Sequence, residues 1–282
     1  MHWMNRAAAL AAFGMLGIAV MAIAAPAFAA APEPWQLGMQ APASPVKERI
    51  EGLHDMLLVI ITLITLFVLV LLVYTIWRFR ASRNPVPTRT AHNTLLEVAW
   101  TVIPVLILVI IAIPSFKLLY FQDRAPNAEM TIKVVGHQWY WSYEYPDHGD
   151  LKFDSYIVQE DDLKPGQKRL LEVDNRLVLP VGTTVRVLVA GTDVIHSWFV
   201  PSLGLQIYAM PGRLNETWVR VDEPGVYYGQ CNQICGVNHA FMPIAIEAVS
   251  KEQFGRWIEE AKQKFAATPA DRPVAVAANA AR

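Results

Sequence analysis

Residues 229–243, GQCNQICGVNHAFMP, contain side chains that could bind a metal ion or form a disulfide. Both cysteines of the chain are here, Cys231 and Cys235, and His239 and Met242 follow them. A second histidine, His196, lies upstream in the strand-like segment DVIHSWFVP. Thiolate, imidazole and thioether groups are together a donor set for soft metals. The spacing therefore raises the question of which chemistry this loop supports.

Three kinds of site fit this spacing. A disulfide would close only three intervening residues and so would remove little chain entropy. Zinc would use two thiolates and two imidazoles and would leave Met242 without a role. Copper electron-transfer sites combine imidazole and thiolate with a weak axial methionine, and two cysteines on one loop allow both sulfurs to bridge two copper ions. Ligand counting favours dinuclear copper with imidazoles from His196 and His239, while disulfide and zinc remain open.

Composition and the N-terminus indicate the setting of this loop. Hydrophobic residues make up 54% of the 282 residues and the formal net charge is −1, which gives no basis for a nucleic-acid partner. Residues 1–29 combine Arg6, an apolar run and the tripeptide Ala27-Phe28-Ala29, which predicts a signal peptide. A permanent membrane helix is the alternative. Cleavage would leave 30–54 as an extracytoplasmic segment.

Two uncharged runs predict a helical hairpin that spans a membrane. The first run, 56–77, covers roughly 30 Å as a helix and predicts a span over 55–78. The second run, 98–116, contains two prolines and predicts a span over 94–120. The loop between them, 79–93, carries arginines and no acid, which places it in the cytoplasm. The regions on the other side of both helices are then extracytoplasmic.

The remainder of the chain predicts a β domain. Over 126–250, short runs rich in Val, Ile, Tyr and Trp alternate with turn residues, as in an antiparallel sandwich or barrel. The next segment, 251–266, predicts an amphipathic helix with Phe254, Trp257 and Ile258 on one face. Residues 267–282 lack periodicity and predict a disordered tail.

The chain resembles subunit II of the copper A-containing, bacterial haem-copper cytochrome c oxidases over almost its whole mature length. The family motif C-x3-C-x3-H-x2-M with a distant upstream histidine matches the five residues introduced above, and GHQWYWSYEYP, MPGRLNETW and YYGQC also match. The resemblance implies a two-helix transmembrane hairpin plus an all-β cupredoxin-like sandwich, in a multi-pass protein of the bacterial inner membrane. The domain carrying copper A would lie in the periplasm.

The resemblance also implies a function. Such a subunit accepts electrons from cytochrome c at dinuclear copper A and passes them to haem in subunit I of a proton-pumping oxidase, where O2 is reduced to water. Subunit III and membrane lipid would be further partners. The first Trp of W-Y-W, Trp139, would accept the electron, whereas Trp141 and Tyr143 are interpreted as structural. Gln138 is a polar docking contact in this interpretation.

An acidic segment follows the Trp-rich strand. Acidic runs are usually solvated surface, although such a patch would also steer a basic electron carrier. In the family, acids near the electron-accepting tryptophan and near the upstream histidine act in docking. The resemblance therefore points to Glu144 and Asp193.

Glu97 and Gln233 are the remaining site predictions. The pattern TLLE is a capping box with Thr94 as N-cap, and the resemblance places Glu97 at the cytoplasmic mouth of a proton pathway. The residue between the cysteines that donates a backbone carbonyl to copper is commonly glutamate in the family, and its side chain reaches a magnesium site. Here it is Gln233, which keeps the carbonyl but brings no negative charge to magnesium.

Two other functions share some of these sequence features. A structural subunit of a quinol-type oxidase has the same anchor and sandwich but lacks the copper ligands. A membrane-anchored copper-binding protein needs neither two helices nor the Trp-rich strand. The chain contains no C-x-x-C-H motif for attached haem, so the donor cytochrome would be a separate protein.

Overall fold

The computed structural model describes residues 28–265, other than 124 and 126. Most of the predicted signal peptide and all of the predicted tail lie outside the described residues. The described part begins with a short strand, continues with two long helices and the other strands of two β-sheets, and ends with a third α-helix. The predicted architecture, a two-helix hairpin followed by a cupredoxin-like β-sandwich, is confirmed.

Helix α1, Pro45–Arg78, begins earlier than the predicted span of 55–78. Ser44 is its N-cap, because the Ser44 hydroxyl accepts a hydrogen bond from the Lys47 N–H at 3.1 Å and donates to the Leu203 carbonyl at 2.7 Å. Pro45 occupies the first turn, where the missing N–H has no intrahelical partner to lose. The first turns contain Lys, Glu and Arg, which are good helix formers, so the helix extends beyond its apolar part.

Helix α2, Thr94–Asp123, completes the hairpin. Its N-cap is Asn93, whose side-chain oxygen accepts from the Leu96 N–H at 3.1 Å. The predicted capping box with Thr94 as N-cap is therefore wrong, because the cap lies one residue earlier and Glu97 is one position too far along to complete it. Both helices are long and apolar enough to cross a membrane.

The β-strands are short, as predicted. They are β1 (Phe28–Ala30), β2 (Met130–His137), β3 (Tyr140–Tyr145), β4 (Leu151–Ser155), β5 (Leu177–Pro180), β6 (Val185–Gly191), β7 (His196–Val200), β8 (Leu205–Ala209), β9 (Asn215–Val219), β10 (Gly225–Cys231) and β11 (Pro243–Val249).

Two mixed sheets form the sandwich. One has the order β5-β11-β10-β7-β8 with β1 also paired to β10, and the other has the order β4-β3-β2-β6-β9. The pairs β1–β10, β2–β6 and β5–β11 are parallel, so the prediction of an antiparallel domain is wrong for these strands. Alternating hydrophobicity shows which face of a strand is buried and carries no information on strand direction.

The core between the sheets is rich in aromatic side chains. Trp141, Tyr143 and Tyr145 on β3 are fully buried, as are Trp198 and Tyr227 on the other sheet. Large buried aromatic areas supply much of the hydrophobic stabilisation of a domain of this size. Trp141 and Tyr143 thus occupy the interior positions expected of structural residues.

Helix α3, Lys251–Phe265, covers one edge of the sandwich. Phe254, Ile258 and Ala261 are buried against it, and the Trp257 ring lies 5.4 Å from that of Tyr145. The apolar face predicted from the sequence is the face that packs.

The hairpin and the sandwich are joined by side-chain contacts near the end of α2. The Trp218 indole donates to the Phe121 carbonyl at 3.1 Å, and the Arg49 guanidinium lies 3.4 Å from the Phe121 ring centroid. Together with the Ser44–Leu203 hydrogen bond, these contacts attach both helices to the β domain.

Candidate metal centre

The loop with the cysteines joins β10 to β11, which are antiparallel neighbours with Gln230 opposite Pro243. The Cys231 N–H donates to the Met242 carbonyl at 3.2 Å, which closes the base of the loop. The fold therefore places the first and last residues of the predicted ligand motif side by side.

The predicted ligands of the loop form one cluster around Cys235. Its Sγ lies 3.9 Å from the Cys231 Sγ, 3.6 Å from the Met242 Sδ and 3.5 Å from the His239 Nδ1. The Cys231 Sγ lies 3.3 Å from the Gln233 carbonyl oxygen. Both thiols are free and buried. The loop thus brings together every donor that the sequence predicted within it.

His196 enters the cluster from the start of β7. Its imidazole is fully buried, and its ligand atom lies within 4.8 Å of those of Cys231 and Cys235. The Nε2 is 2.8 Å from the Asp193 Oδ1, whereas the Nδ1 is buried and has no hydrogen-bond partner among the described residues. A buried nitrogen without a partner is costly unless something else binds it. The Nδ1 lone pair is therefore the available ligand.

The electrostatics of the cluster differ between the two thiols. Burial opposes ionisation of Cys231, but His196 and nearby backbone groups outweigh it and lower the thiol pKa. Burial, followed by the adjacent Cys231 thiolate, raises the pKa of Cys235 to about 12. Burial lowers the pKa of His196, but Cys231 and Asp193 beside the ring outweigh it, so the pKa lies above its ordinary value. A bound cation would stabilise both thiolates, with release of protons.

The donor set fits a soft metal. Two thiols, two imidazoles, a thioether and a carbonyl converge, and the thioether is in contact with the cluster at Cys235. Zinc is bound by sulfur from cysteine only, so Met242 would not be a ligand in a zinc site. Copper electron-transfer sites use methionine as a weak axial ligand. The described residues form a His, Cys, Cys group that can hold a metal ion.

Gln138 and Trp139 lie directly on this loop. They link β2 to β3, and both side chains donate to the Cys235 carbonyl, Gln138 Nε2 at 2.8 Å and Trp139 Nε1 at 3.2 Å. Gly236 has φ +123°, and a Cβ there would lie 2.8 Å from the Trp139 Cζ2. A side chain at this position would therefore collide with the indole.

Asp193 has a role that sequence reasoning missed. Its two carboxylate oxygens accept from His196 Nε2 and from the Gln138 backbone N–H, the latter at 2.7 Å. Such a carboxylate fixes the tautomer and the orientation of a ligand histidine. Burial opposes ionisation, but these hydrogen bonds outweigh it and lower the pKa of Asp193. The spacing Asp-x-x-His was the only available signal, and it was interpreted as a docking acid near a ligand.

The other predicted residues lie outside the cluster. Glu144, on β3, pairs with Lys133 at 3.1 Å and with Lys152 at 3.0 Å on the flanking strands. Glu97 lies in the first turn of α2, at the end of the hairpin away from the sandwich. The Gln233 side chain is partly exposed at the rim of the loop. The structure thus brings the ligands, Trp139, Gln138 and Asp193 together and leaves Glu144 and Glu97 apart.

Comparisons with known proteins give a family for most of the described chain. Residues 130–249 match the family described as cytochrome C oxidase subunit II, periplasmic domain, and residues 32–118 match its transmembrane domain. The match to the second family covers both long helices, so the chain is membrane-anchored.

Individual relatives agree. The chain is 55% identical over 240 residues to the probable cytochrome c oxidase subunit 2 of Rickettsia bellii, covering 85% of this chain and 89% of that protein. It is 51% identical over 234 residues to cytochrome c oxidase subunit 2 of Arabidopsis thaliana, covering 81% and 90%. The solved periplasmic domain of subunit II of cytochrome oxidase from Bradyrhizobium japonicum is 52% identical, with a TM-score of 0.48, covering 50% of this chain and 99% of that one. The chain therefore belongs to the cytochrome c oxidase subunit II family, and is a subunit of that oxidoreductase complex.

Proposed function

We propose that this chain accepts electrons from cytochrome c and passes them to haem in subunit I of a proton-pumping oxidase that reduces O2 to water. The observation that carries the proposal is the buried His196 Nδ1, which has no hydrogen-bond partner among the residues that the structure describes, beside two free thiols. The ligands of a dinuclear copper A centre would be His196, Cys231, the carbonyl oxygen of Gln233, Cys235, His239 and Met242.

When bound, copper A supplies a one-electron acceptor shared between two metal ions. The chain contributes a donor set that is already assembled, since the loop is closed at its base by the Cys231–Met242 hydrogen bond. Asp193 holds the His196 ring with its Nδ1 directed away from the carboxylate. Little rearrangement of the side chains is then needed when the charge of the site changes.

Trp139 is the proposed electron-accepting residue. It lies at the tip of the β2–β3 hairpin and is partly exposed. Its indole N–H donates a hydrogen bond to the Cys235 carbonyl, in the loop that joins β10 to β11. Gln138 is exposed beside it and is the proposed polar contact to the donor. Glu144 and Asp193 are the proposed docking acids, which would steer a basic cytochrome to this face.

The proposed location is the bacterial inner membrane, with the sandwich in the periplasm. This topology is supported by the loop between α1 and α2, in which Arg80, Arg83 and Arg89 are exposed and no acid is present. The proposed partners are subunit I, subunit III, cytochrome c and membrane lipid.

Two further roles belong to this proposal. Glu97, in the first turn of α2, would take up protons at the cytoplasmic end of the hairpin. The Gln233 side chain would face a magnesium site at the boundary with subunit I and offer it a neutral amide oxygen, a weaker ligand for a hard cation than a carboxylate.

The decisive experiment is metal analysis and electron paramagnetic resonance on the full-length chain purified in detergent. We expect two copper ions per chain and a hyperfine pattern from one electron shared between both nuclei. His239→Gln should lose this pattern, while the control His148→Gln, whose ring packs against Phe254 on the other side of the domain, should keep it. Stoichiometric zinc, or a metal-free disulfide between the two cysteines, would contradict the proposal.

A further inference from the structure

His137 is the residue before Gln138 and has no place in the proposed ligand or docking set. It is the last residue of β2 and pairs with Tyr140 across the hairpin. Its ring is parallel to that of Tyr140, with centroids 4.4 Å apart and an interplanar angle of 7°. Both ring nitrogens also have partners, Thr192 Oγ1 2.9 Å from Nδ1 and Ser142 Oγ 3.0 Å from Nε2. A half-buried imidazole with every edge engaged is suited to hold neighbouring groups in place.

The hydrogen-bond directions around His137 are fixed by Asp154. The Ser142 hydroxyl donates its single proton to the Asp154 Oδ1 at 2.7 Å, because a carboxylate oxygen only accepts. The Ser142 oxygen must then accept from His137, so the ring proton is on Nε2. In the neutral ring Nδ1 is left with its lone pair, and at 2.9 Å it is a closer acceptor for the single Thr192 hydroxyl proton than the Gly136 carbonyl, which lies 3.3 Å from that hydroxyl. The surroundings thus select one tautomer, and that tautomer binds Thr192.

Thr192 is adjacent to Asp193, the carboxylate that serves both parts of the site. One Asp193 oxygen holds the Gln138 N–H at the hairpin tip, and the other holds the His196 imidazole. The Thr192 N–H also donates to the Gly136 carbonyl at 3.1 Å, and a Cβ at Gly136 would lie 3.0 Å from the His196 Cδ2. The position of Thr192 therefore sets the position of Asp193 relative to the hairpin and to the imidazole.

We infer that His137 is a positioning residue for electron acceptance: by holding Thr192, it keeps Asp193 where it aligns the Trp139 hairpin with the His196 imidazole. His137 contacts neither the donor nor the metal ligands in this scheme and acts through Thr192 and Asp193. The inference rests on the proposed function and adds to it a residue that determines how Trp139 is presented.

Three substitutions separate the interactions of His137. His137→Phe keeps an aromatic ring over Tyr140 and removes both hydrogen bonds. His137→Asn places an amide oxygen near the former Nδ1, where it can accept from Thr192. His137→Gln places an amide N–H near the former Nε2, where it can donate to Ser142 but leaves Thr192 without its partner. Only the asparagine variant restores the interaction on which the inference depends.

The first measurement is stopped-flow reduction of the assembled oxidase complex by reduced cytochrome c. At saturating donor, we expect the Phe and Gln variants at His137 to be reduced about tenfold more slowly, because a small displacement of a reacting group has a large effect on rate. The Asn variant should recover to within about twofold of the unsubstituted complex. The copper content of the purified complex should not change, because every proposed ligand side chain is retained.

The second measurement does not depend on activity. Hydrogen exchange at the Gln138 amide, which is bonded to Asp193, should be faster in the Phe and Gln variants and unchanged in the Asn variant. Thr192→Val should have the effect of His137→Gln, and the two together should not add, because both remove the hydrogen bond between residues 137 and 192. Equal rates and equal exchange in the Asn and Gln variants would overturn the inference. A chain without copper would instead refute the proposed function, and the exchange pattern would still test His137.

Discussion

The indole N–H of Trp139 donates to the backbone carbonyl of Cys235, with 3.2 Å between Nε1 and O. The same carbonyl accepts from the Gln138 side chain at 2.8 Å. A proposed copper ligand and the proposed electron-accepting aromatic residue are thus one hydrogen bond apart. The β2–β3 hairpin cannot move away from the loop that joins β10 to β11 without breaking both hydrogen bonds to the Cys235 carbonyl.

Trp139→Ala should slow reduction by cytochrome c severely, by at least about a hundredfold, and leave copper content intact. The indole is partly exposed at the hairpin tip and is not among the proposed ligands. Stopped-flow reduction and metal analysis check this together. Trp35→Ala is the control, since that side chain is 98% exposed and distant in sequence from the site. Loss of copper in the Trp139 variant would show that the residue is structural.

Gly236→Ala should displace Trp139 and slow electron acceptance while the ligands stay in place. The added Cβ would lie 2.8 Å from the indole and 3.1 Å from the Gln138 Nε2, in a backbone conformation with φ +123°. Gly212→Ala is the matched control, because its φ is +73° but nothing lies within 4 Å of a Cβ there. The control should lose only the stability that a side chain costs at a positive φ, about 1 kcal/mol. Similar reduction rates in both variants would mean that the close approach at Gly236 is unimportant.

Asp193→Ala should weaken copper binding by roughly tenfold to a hundredfold, because the His196 N–H loses its acceptor and the ring its orientation. The copper affinity of Asp193→Asn should lie between those of the unsubstituted chain and Asp193→Ala, since the amide oxygen can still accept from the His196 N–H. Competition with a chelator measures the affinity. Asp222→Ala, which removes an exposed carboxylate paired with Arg220, should leave it unchanged. An unchanged affinity in Asp193→Ala would show that the imidazole is held by packing alone.

Glu144→Gln should reduce the second-order rate of reduction by a basic cytochrome at low ionic strength, with little effect at high salt. Lys133 and Lys152 flank the carboxylate, so its loss leaves two unbalanced positive charges on that surface. Rates measured over a range of salt concentrations would show a changed slope. Glu160→Gln, in another exposed ion pair with Arg169, is the control. The docking role of Glu144 fails if the two variants have the same salt dependence.

Glu172→Gln should lower the free energy of unfolding by about 2–3 kcal/mol at neutral pH, because Arg176 loses its buried partner and keeps only Glu247, at 3.4 Å. Glu172 is 1% exposed, and its oxygens accept from two Arg176 nitrogens, at 2.9 and 2.8 Å, and from the Tyr228 hydroxyl. Denaturant unfolding in detergent, followed by tryptophan fluorescence, measures the change. The exposed control Glu160→Gln should cost less than about 1 kcal/mol.

The same pair predicts a pH dependence. Burial opposes ionisation of Glu172, but Arg176 outweighs it, so the pKa in the folded chain lies below the ordinary value. The stability from this lowered pKa is present above the unfolded-state pKa and is lost as the pH falls through the folded-state pKa. Unfolding experiments from pH 7 downwards should therefore show a steeper acid limb for the unsubstituted chain than for Glu172→Gln. Parallel limbs would show that Glu172 is not the titrating group.

The clustering of four candidate ligands could be predicted from sequence because their spacing is local. Cys231, Cys235, His239 and Met242 lie on one short loop, and the closing of a β10–β11 connection brings both of its ends together. His196 lies 35 positions upstream of Cys231, so ligand counting could propose it but local spacing could not place it beside the loop. The alternation of buried residues likewise indicated the sandwich but not which strands run parallel, because that depends on which distant segments pair.

The supporting contacts could not be predicted in the same way. Asp193 both orients His196 and holds the β2–β3 hairpin. It can do so because the start of β7 and the end of β2 lie next to each other in the fold. The Asn93 cap was misassigned because Asn-Thr offers two capping residues in succession, and only the geometry of the first turn selects one. Sequence patterns indicate which residue types are present, whereas hydrogen-bond partners depend on distances across the fold.

The unbroken helix from Pro45 to Arg78 connects the β domain directly to the apolar span. The part of α1 before residue 55 adds about 15 Å of rigid rod beyond the apolar span. Ser44 and Arg49 attach that rod to the sandwich and to α2. The β domain is therefore held against both helices by direct contacts, and in the proposed topology a carrier protein diffusing along the membrane surface would meet the Trp139 hairpin in one orientation.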